Sequence, residues 1–473
     1  MSAKKVISLL VVLVVILVGA GVATYYFLSR EVKTNDSTVT KPKTVSEDDL
    51  NIKKTTGTEE NQSKILYGKV SNHISEQTGA GNNCKSFTML KYEGGGVVDK
   101  DSKENQDLDV TGYPLTYLQT KKNDNYFYVA SDQSPVQEQY GATVFDWDLA
   151  ERDLKSADFT AEESKRVIMS TADKFPSYLK TSPDNKYLVY VMTAKKENKL
   201  QGDIRNPRVK DSDLVIRDLT SGEEETILSG NYNRQLFDSF LNFSVQDNSL
   251  FTIRTKESGG LEFIKITLAS GEIETFAEVF PDFDWEKTLW DDLLPSGFTG
   301  HPAHFEISPN ENKLAVYKNK SGSDFENCAP SVGHTLWSFN IDQDIISVYD
   351  EDSGMIDGLD WKDDSKELAY AVITGGGCYP DYIDAMIKRM DQTGENKEIL
   401  VTEKQSKILG LGWSPDNQSI VYSVYGSDFV SWLKAVDPKS KEIEKIISSE
   451  DTEGSVDKEN PVTFNFVGWV EMN

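Results

Sequence analysis

Short runs in which apolar and polar residues alternate fill the chain from Lys64 to Trp469, and polar turns of one recurring form interrupt them. Ser182-Pro183-Asp184-Asn185 leads into Lys186-Tyr187-Leu188-Val189-Tyr190, and Trp413-Ser414-Pro415-Asp416-Asn417 leads into Gln418-Ser419-Ile420-Val421-Tyr422. Weaker copies run from Ser308-Pro309-Asn310-Glu311-Asn312 to Tyr317 and from Trp361-Lys362-Asp363-Asp364-Ser365 to Tyr370. Period-two alternation places successive side chains on opposite faces of a strand, and Pro, Asp and Asn supply the turn between two strands. A second turn, Thr220-Ser221-Gly222-Glu223, recurs as Ala269-Ser270-Gly271-Glu272 and Gln392-Thr393-Gly394-Glu395, with Gly placed for positive φ. Asp218 and Asp391 precede two of these turns, and Asp437 opens the related Asp437-Pro438-Lys439-Ser440-Lys441.

A unit of roughly 50 to 60 residues built from hairpins is the signature of a β-propeller. The unit near Pro176 supplies the template: strands at Ser177–Thr181, Tyr187–Thr193, Asp213–Leu219 and Glu224–Leu228. Further units are expected over Leu115–Phe159 (clear strands Tyr126–Ala130 and Thr143–Asp148), Ser239–Val279 (Leu250–Thr255 and Phe263–Leu268), 302–350, 357–401 and 408–448. The two ends share the last unit. Phe466-Val467-Gly468-Trp469 echoes Leu411-Gly412-Trp413 as a first strand, Lys64–Val70 reads as a second strand without a first, and Phe87–Tyr92 gives a third. Pairing the C-terminal strand with the N-terminal unit removes two free sheet edges. The expected fold is all-β: a seven-bladed β-propeller closed in this way, with six or eight blades as alternatives because two units are degenerate.

The repeat resembles the TolB-type propeller repeat, also found in tricorn-like and prolyl-peptidase-type propeller domains. The likeness covers about Lys64 to Trp469 and is carried chiefly by the two Ser-Pro-Asp-Asn copies. It implies four-stranded blades and says little about activity, since such rings serve as scaffolds, binders and enzyme accessory domains. Where TolB has a separate N-terminal domain, a polar stalk is expected here instead.

The N-terminus changes the picture. Val6 to Leu28 is almost unbroken apolar sequence after Lys4 and Lys5. At 1.5 Å per residue it spans about 34 Å, enough for a hydrocarbon core of about 30 Å. We expect a cytoplasmic N-terminus (1–5), one transmembrane helix (6–28), a polar stalk (29–63) and a propeller (64–473). Lysines before the run favour that orientation, and Tyr25, Tyr26 and Phe27 suit the outer interface. A cleaved signal peptide, with Gly21 and Ala23 at the cleavage site, is the competing reading. Arg30–Ser63 is too polar to offset its chain entropy by burial. The expected location is therefore the cell membrane, single-pass, with the C-terminal domain extracytoplasmic.

The net charge is −27, and the segment through Arg30 carries three cations and no acid, which leaves −30 for the remainder. Such an acidic body is expected to repel nucleic acid and anionic headgroups. Long connections cluster on one rim: Ala194–Lys210, Val70–Lys85, Asn319–His334 and the inter-blade stretch Phe280–His304. Binding commonly sits on such loops, although surface insertions are also cheaply tolerated. In Pro281–Leu294, Asp284 is placed to cap a short helix. That helix either packs Trp285, Leu289 and Leu293 on the blades or forms an aromatic, acidic lip. Candidate binding residues on this rim are Trp285, Trp290, Asp291, Asp292, His301, Tyr379 and Asp381.

Cys328 and Cys378 lie in expected loops of neighbouring blades, and an extracytoplasmic setting permits a disulfide between them. Cys84 is left over, free or exchanging with one of the pair. No metal site is expected: Asp99–Glu104 begins like a calcium loop but puts Lys103 at a ligand position, and His301 and His304 lack a third ligand. No Gly-x-Ser-x-Gly elbow occurs, and Gly94–Gly96 and Gly375–Gly377 lack the context of phosphate loops. No cofactor is expected. The leading reading is a non-enzymatic binding or scaffold protein for a protein, peptide or envelope polymer. The alternative is a glycan-acting hydrolase or lyase with acids at the channel mouth; a buried carboxylate pair with a perturbed pKa would favour it.

Overall fold

The computed structural model describes residues 62–79, 82–108, 113–121, 125–131, 136–139, 142–145, 153–158, 165–168, 171, 173–194, 210–232, 241–255, 261–279, 302–320, 333–341, 345–375, 383–451 and 462–472. All fall in one unit, 44–473. The expected membrane helix and nearly all of the stalk lie outside the described residues. Among the described residues no helix is long and apolar enough to cross a membrane.

The N-terminal sheet holds β1 (Gln62–Gly79), β2 (Asn82–Asp99) and β3 (Asn105–Leu108). The next holds β4 (Tyr113–Lys121) and β5 (Asn125–Ser131), then β8 (Asp153–Asp158) and β9 (Lys165–Ile168), with β6 (Val136–Gln139) and β7 (Ala142–Phe145) as a separate hairpin. Then follow β10 (Lys174–Thr181), β11 (Tyr187–Ala194), β12 (Lys210–Asp218) and β13 (Glu224–Tyr232). After them come β14 (Asn242–Phe243), β15 (Ser249–Thr255), β16 (Leu261–Thr267) and β17 (Glu272–Val279). The next sheet comprises β18 (Pro302–Ile307), β19 (Lys313–Lys320), β20 (Gly333–Asn340) and β21 (Ile345–Ser353). The last two are β22 (Met355–Trp361), β23 (Glu367–Gly375), β24 (Ile383–Asp391) and β25 (Glu398–Glu403), then β26 (Ser406–Trp413), β27 (Ile420–Gly426), β28 (Ser431–Val436) and β29 (Ile443–Ser448). The chain ends with β30 (Val462–Met472).

Apart from the β6–β7 hairpin, each sheet is four-stranded and antiparallel, as expected of a propeller blade, and β30 completes the first one in the order β3-β2-β1-β30. Six blades are described with side chains; the β4-β5-β8-β9 sheet is described by its backbone pairing. The anticipated closure is present: Ile65 pairs with Trp469 and Lys69 with Phe464. Tyr67 also stacks on Phe464, with centroids 4.9 Å apart. First strands meet around a common axis: β22 contacts β26, β26 contacts β30, and β30 and β10 both contact β4.

The turns form for local reasons. The Ser182 hydroxyl donates to Asp184 Oδ1 at 2.7 Å and accepts the Tyr187 N–H, while Asp184 Oδ1 accepts the Lys186 N–H. Ser308–Asn310 and Ser414–Asp416 repeat this pattern. Asn185, Glu311, Ser365 and Asn417 take the left-handed conformation that reverses each chain. Between blades the sheet faces pack apolar side chains: Val189, Val191, Leu214, Leu250, Ile264 and Ile266 form one such core.

Three expectations need correction. The described part of the expected strand Thr143–Asp148 is not in the blade: Ala142–Phe145 pairs locally with Val136–Gln139, and Asp153–Asp158 pairs with β5 instead. Val70–Lys85 is not a loop, because β1 and β2 stay paired to Gly79↔Asn82. Cys84 therefore sits in a strand, opposite Gln77. Pairing of β1 with β30 stops at Ser71, so the remaining eight residues of β1 form, with β2, a ribbon about 26 Å long beyond the blade.

Candidate functional site

Trp285, Trp290, Asp291, Asp292, His301, Tyr379 and Asp381 lie outside the described residues, as do Cys328 and Cys378. The strand ends that carry the long connections are described, and they share one end of the ring. β11 stops at Ala194, β19 at Lys320 and β23 at Gly375, whereas the Ser-Pro-Asp-Asn turns occupy the opposite end. β1 occupies the second-strand position, so Gln62 also lies at the turn end.

Around the axis, the residue two before each turn-opening residue behaves alike from blade to blade. These are Lys180, Asn242, Glu306, Asp360 and Gly412. Lys180 Nζ donates to the Leu241 carbonyl at 2.9 Å, and Asn242 Nδ2 to the Phe305 carbonyl at 2.7 Å. Asp360 Oδ2 accepts the Trp413 backbone N–H at 2.6 Å. In return the Trp361 and Trp413 indoles donate to the carbonyls of Glu306 and Asp360. Gly412 has no room for a side chain: a Cβ there would lie 2.6 Å from the Phe466 ring. The side chains of Lys180, Asn242 and Asp360 thus each fasten one first strand to the next.

Two acids of this belt are neighbours. Burial pushes the Asp360 carboxyl well above the ordinary carboxylate range, and the negative charge of Glu306 adds to the rise. The Trp413 N–H and the more distant Lys180 pull it back only in part. Asp360 keeps intermediate solvent exposure while protein surrounds it, as expected of a residue in the wall of the ring. A carboxyl whose pKa is raised beside a second carboxylate is the kind of group that can deliver a proton. Nothing in the local sequence marked this position, because its chemistry varies from Lys to Gly and only the constant offset from the turn identifies it.

A second polar motif recurs between blades. Tyr370 donates to Asp350 Oδ2 at 2.8 Å and Lys388 Nζ reaches the same oxygen at 3.2 Å. One interface further on, Tyr422 and Lys434 both donate to Glu403 Oε1, at 2.8 and 2.9 Å. Strand two supplies the tyrosine, strand three the lysine and the preceding blade the acid. Recurrence at equivalent places marks the Tyr–acid–Lys triad as architecture. Against the opposing effect of burial, hydrogen bonds from His334 and Tyr370 and the charges of Lys388 and Lys397 hold the Asp350 carboxyl far below the usual range.

Among the described residues no group of three or more His, Cys, Asp or Glu is placed to hold a metal. Asp99, which opens the calcium-like run, is a turn cap: its Oδ1 accepts the N–H groups of Asp101 and Ser102. Asp218 and Asp437 do the same in their turns.

No family model matches the chain, and no curated protein does. Solved structures it is similar to include TolB from Acinetobacter baumannii, whose repeat the sequence resembles (14% identity, TM-score 0.39, covering 84% of this chain and 82% of that one). Oligogalacturonate lyase from Vibrio parahaemolyticus matches at 13% identity and TM-score 0.39, over 57% of this chain and 63% of that one. The periplasmic gluconolactonase of Pseudomonas aeruginosa matches at 13% identity and TM-score 0.42, over 85% of this chain and 100% of that one. Likenesses this distant carry no argument about activity, and the propeller rests on the strand order described above.

Proposed function

We propose that the chain is a membrane-tethered, extracytoplasmic propeller of seven blades that binds a protein, peptide or envelope polymer without transforming it. Seven four-stranded sheets and the contacts of their first strands support the blade count. The apolar run Val6–Leu28 supports the tether. One observation carries the binding role: the chain joins the ring at Gln62, on the turn end, while the long connections and the β1–β2 ribbon leave from the opposite end. A tether at one end presents the other to the surroundings. Trp285, Trp290, Asp291, Asp292, His301, Tyr379 and Asp381 are the proposed contacts there, with aromatic anchors and acids for selectivity. Truncating Asp282–Pro295 is expected to abolish partner crosslinking in intact cells while thermal unfolding stays nearly unchanged. Retained capture rejects that face.

The Asp360–Glu306 pair favours a second reading, a glycan-acting hydrolase or lyase using an acid near the axis. Asp360→Asn separates the two: loss of polysaccharide cleavage supports the enzyme, and undiminished partner capture without cleavage supports the binder.

A further inference from the structure

The outer edges of the blades are guarded against further pairing. Six fourth strands each carry one residue extra to the register: Val167 in β9, Ile227 in β13, Phe276 in β17, Tyr349 in β21, Leu400 in β25 and Ile446 in β29. The seventh outer strand, β3, is only four residues long. Bulges and short edge strands are the devices that keep a free edge from pairing with another chain.

The β1–β2 ribbon is built differently. At its root β2 carries two bulges, with Leu90 and Glu93 extra, and these re-aim the ribbon as it leaves the blade. Beyond them eight pairs, from Asn72↔Met89 to Gly79↔Asn82, run without irregularity. Pairing of β1 with β30 ends at Ser71 and pairing of β2 with β3 begins at Gly95. Among the described residues neither edge of the ribbon meets a further strand. The stretch from Asn72 to Met89 holds no proline and a single lysine. Each strand therefore turns alternate backbone N–H and C=O groups outward, a regular template for a third strand.

Charge distinguishes the possible occupants. With histidine neutral, Glu76 and Lys85 are the charged residues between Asn72 and Met89, and they stand opposite each other. The ribbon is thus neutral, and the rest of the chain bears the whole net charge of −27. A second copy brings an equal charge and is repelled. A cationic segment is drawn toward the acidic ring, which one end of an added strand must approach.

We propose that the β1–β2 ribbon takes up an extended, cationic segment of another protein as an added β-strand. Main-chain hydrogen bonds supply the affinity, and the acidic ring selects for positive charge. This rests on the reading of the chain as a binder displayed by its tether, and it specifies how the loop end engages a polypeptide.

The probe is an end-blocked octapeptide that alternates valine with lysine or threonine, offered to the full chain in detergent with Cys84 kept reduced. Hydrogen exchange read at single residues should slow at alternate amides of one strand, within Asn72–Gly79 or Asn82–Met89, because successive N–H groups point to opposite edges. N-methylating every second residue of the peptide should weaken binding by about tenfold or more in one phase and little in the other. Replacing its lysines with glutamate should weaken binding about tenfold at low salt and less at high salt. Replacing residues 74–87 with a two-residue turn should abolish binding and leave thermal unfolding nearly unchanged; were that variant unable to fold, the amide pattern decides. Protection of every ribbon amide or of none, protection that rises with chain concentration without peptide (a second copy), or a glutamate peptide that binds equally well overturns the proposal. A chain that ignores the peptide while the Asp282–Pro295 truncation still abolishes partner crosslinking loses the ribbon's role and keeps the binding role.

Discussion

Two positions show how a single side chain in this ring either satisfies its surroundings or strains them. Thr252 occupies the second-strand position held by Tyr370 and Tyr422 in later blades, but its short side chain cannot reach across to an acid. It is fully buried, and its hydroxyl has no hydrogen-bond partner among the described residues. An unsatisfied buried hydroxyl costs about 1–3 kcal/mol, so Thr252→Val should stabilise the fold by about 1 kcal/mol, read as a higher urea midpoint at unchanged slope. Asp360 poses the opposite question of charge. Its folded pKa is raised, chiefly by burial, so the stability it contributes is present at acid pH and lost as pH rises through the folded value. Asp360→Asn keeps an acceptor for the Trp413 N–H and removes that loss. The variant should match the parent near pH 4 and exceed it in stability near pH 8. A difference of the same size at both pH values would mean that Asp360 does not carry the proton. Asp350 has the reverse sign: its depressed pKa means that its contribution is intact at neutral pH and is lost as pH falls below the ordinary carboxylate range.

The hairpin turns join the blades to one another as well as joining strands. Asn417 takes the left-handed position of its turn, with φ at 58°, and its side chain reaches the preceding blade's turn. There its Oδ1 accepts the Asp363 N–H at 3.2 Å and its Nδ2 donates to Asp363 Oδ2 at 3.1 Å. Ser365 accepts the Asn310 N–H in the same sense, and Glu311 accepts from Ser244. Asn417→Ala should cost about 1–2 kcal/mol, and Asn417→Gly less, because Gly relieves the backbone while losing the same side-chain bonds. Equal costs would show that the cross-blade bonds alone matter. These turns were legible in the sequence because each is specified by neighbouring residues, as Ser182, Asp184 and Asn185 are. The β1–β2 ribbon was not, since Ser71–Lys85 is polar and lacks an alternating apolar face. The expected strand at Thr143–Asp148 misled for the converse reason: its described part, Thr143–Phe145, is a strand, but its partner is Val136–Gln139 beside it. The Gly94–Gly96 run, read only as unsuited to phosphate, has a packing role, for a Cβ on Gly96 would collide with the Tyr67 hydroxyl at 2.5 Å. No short-range signal marked Asp360, whose chemistry depends on residues from adjoining blades.

A ring built from repeats must still be closed by something that is not a repeat, and here that is β30. Among the described residues the turn-to-turn bonds that link other blades have no counterpart at this seam, where the N-terminal sheet draws its first and second strands from opposite ends of the chain. Other contacts take over. Lys103 pairs with Glu444 at 2.6 Å, and the β30 backbone donates from Phe464 to Ser431 and from Phe466 to Ser423. Most of the holding force is apolar: Phe464 joins Ile65, Tyr67, Val98, Val421 and Leu433 in one buried core. The Lys103–Glu444 pair is half exposed and screened by salt, so it contributes little beside that burial. Removing 462–473 should therefore strip the cover from Ile65 and Tyr67 and leave β1 as an open edge, a template for association. We expect the truncated chain to unfold at lower temperature and to elute as oligomers or aggregate in size-exclusion chromatography. Glu444→Gln should leave both properties nearly unchanged, at low and at high salt. A truncated chain that stays monomeric with unaltered unfolding would mean that β30 is dispensable and that the seam is held elsewhere.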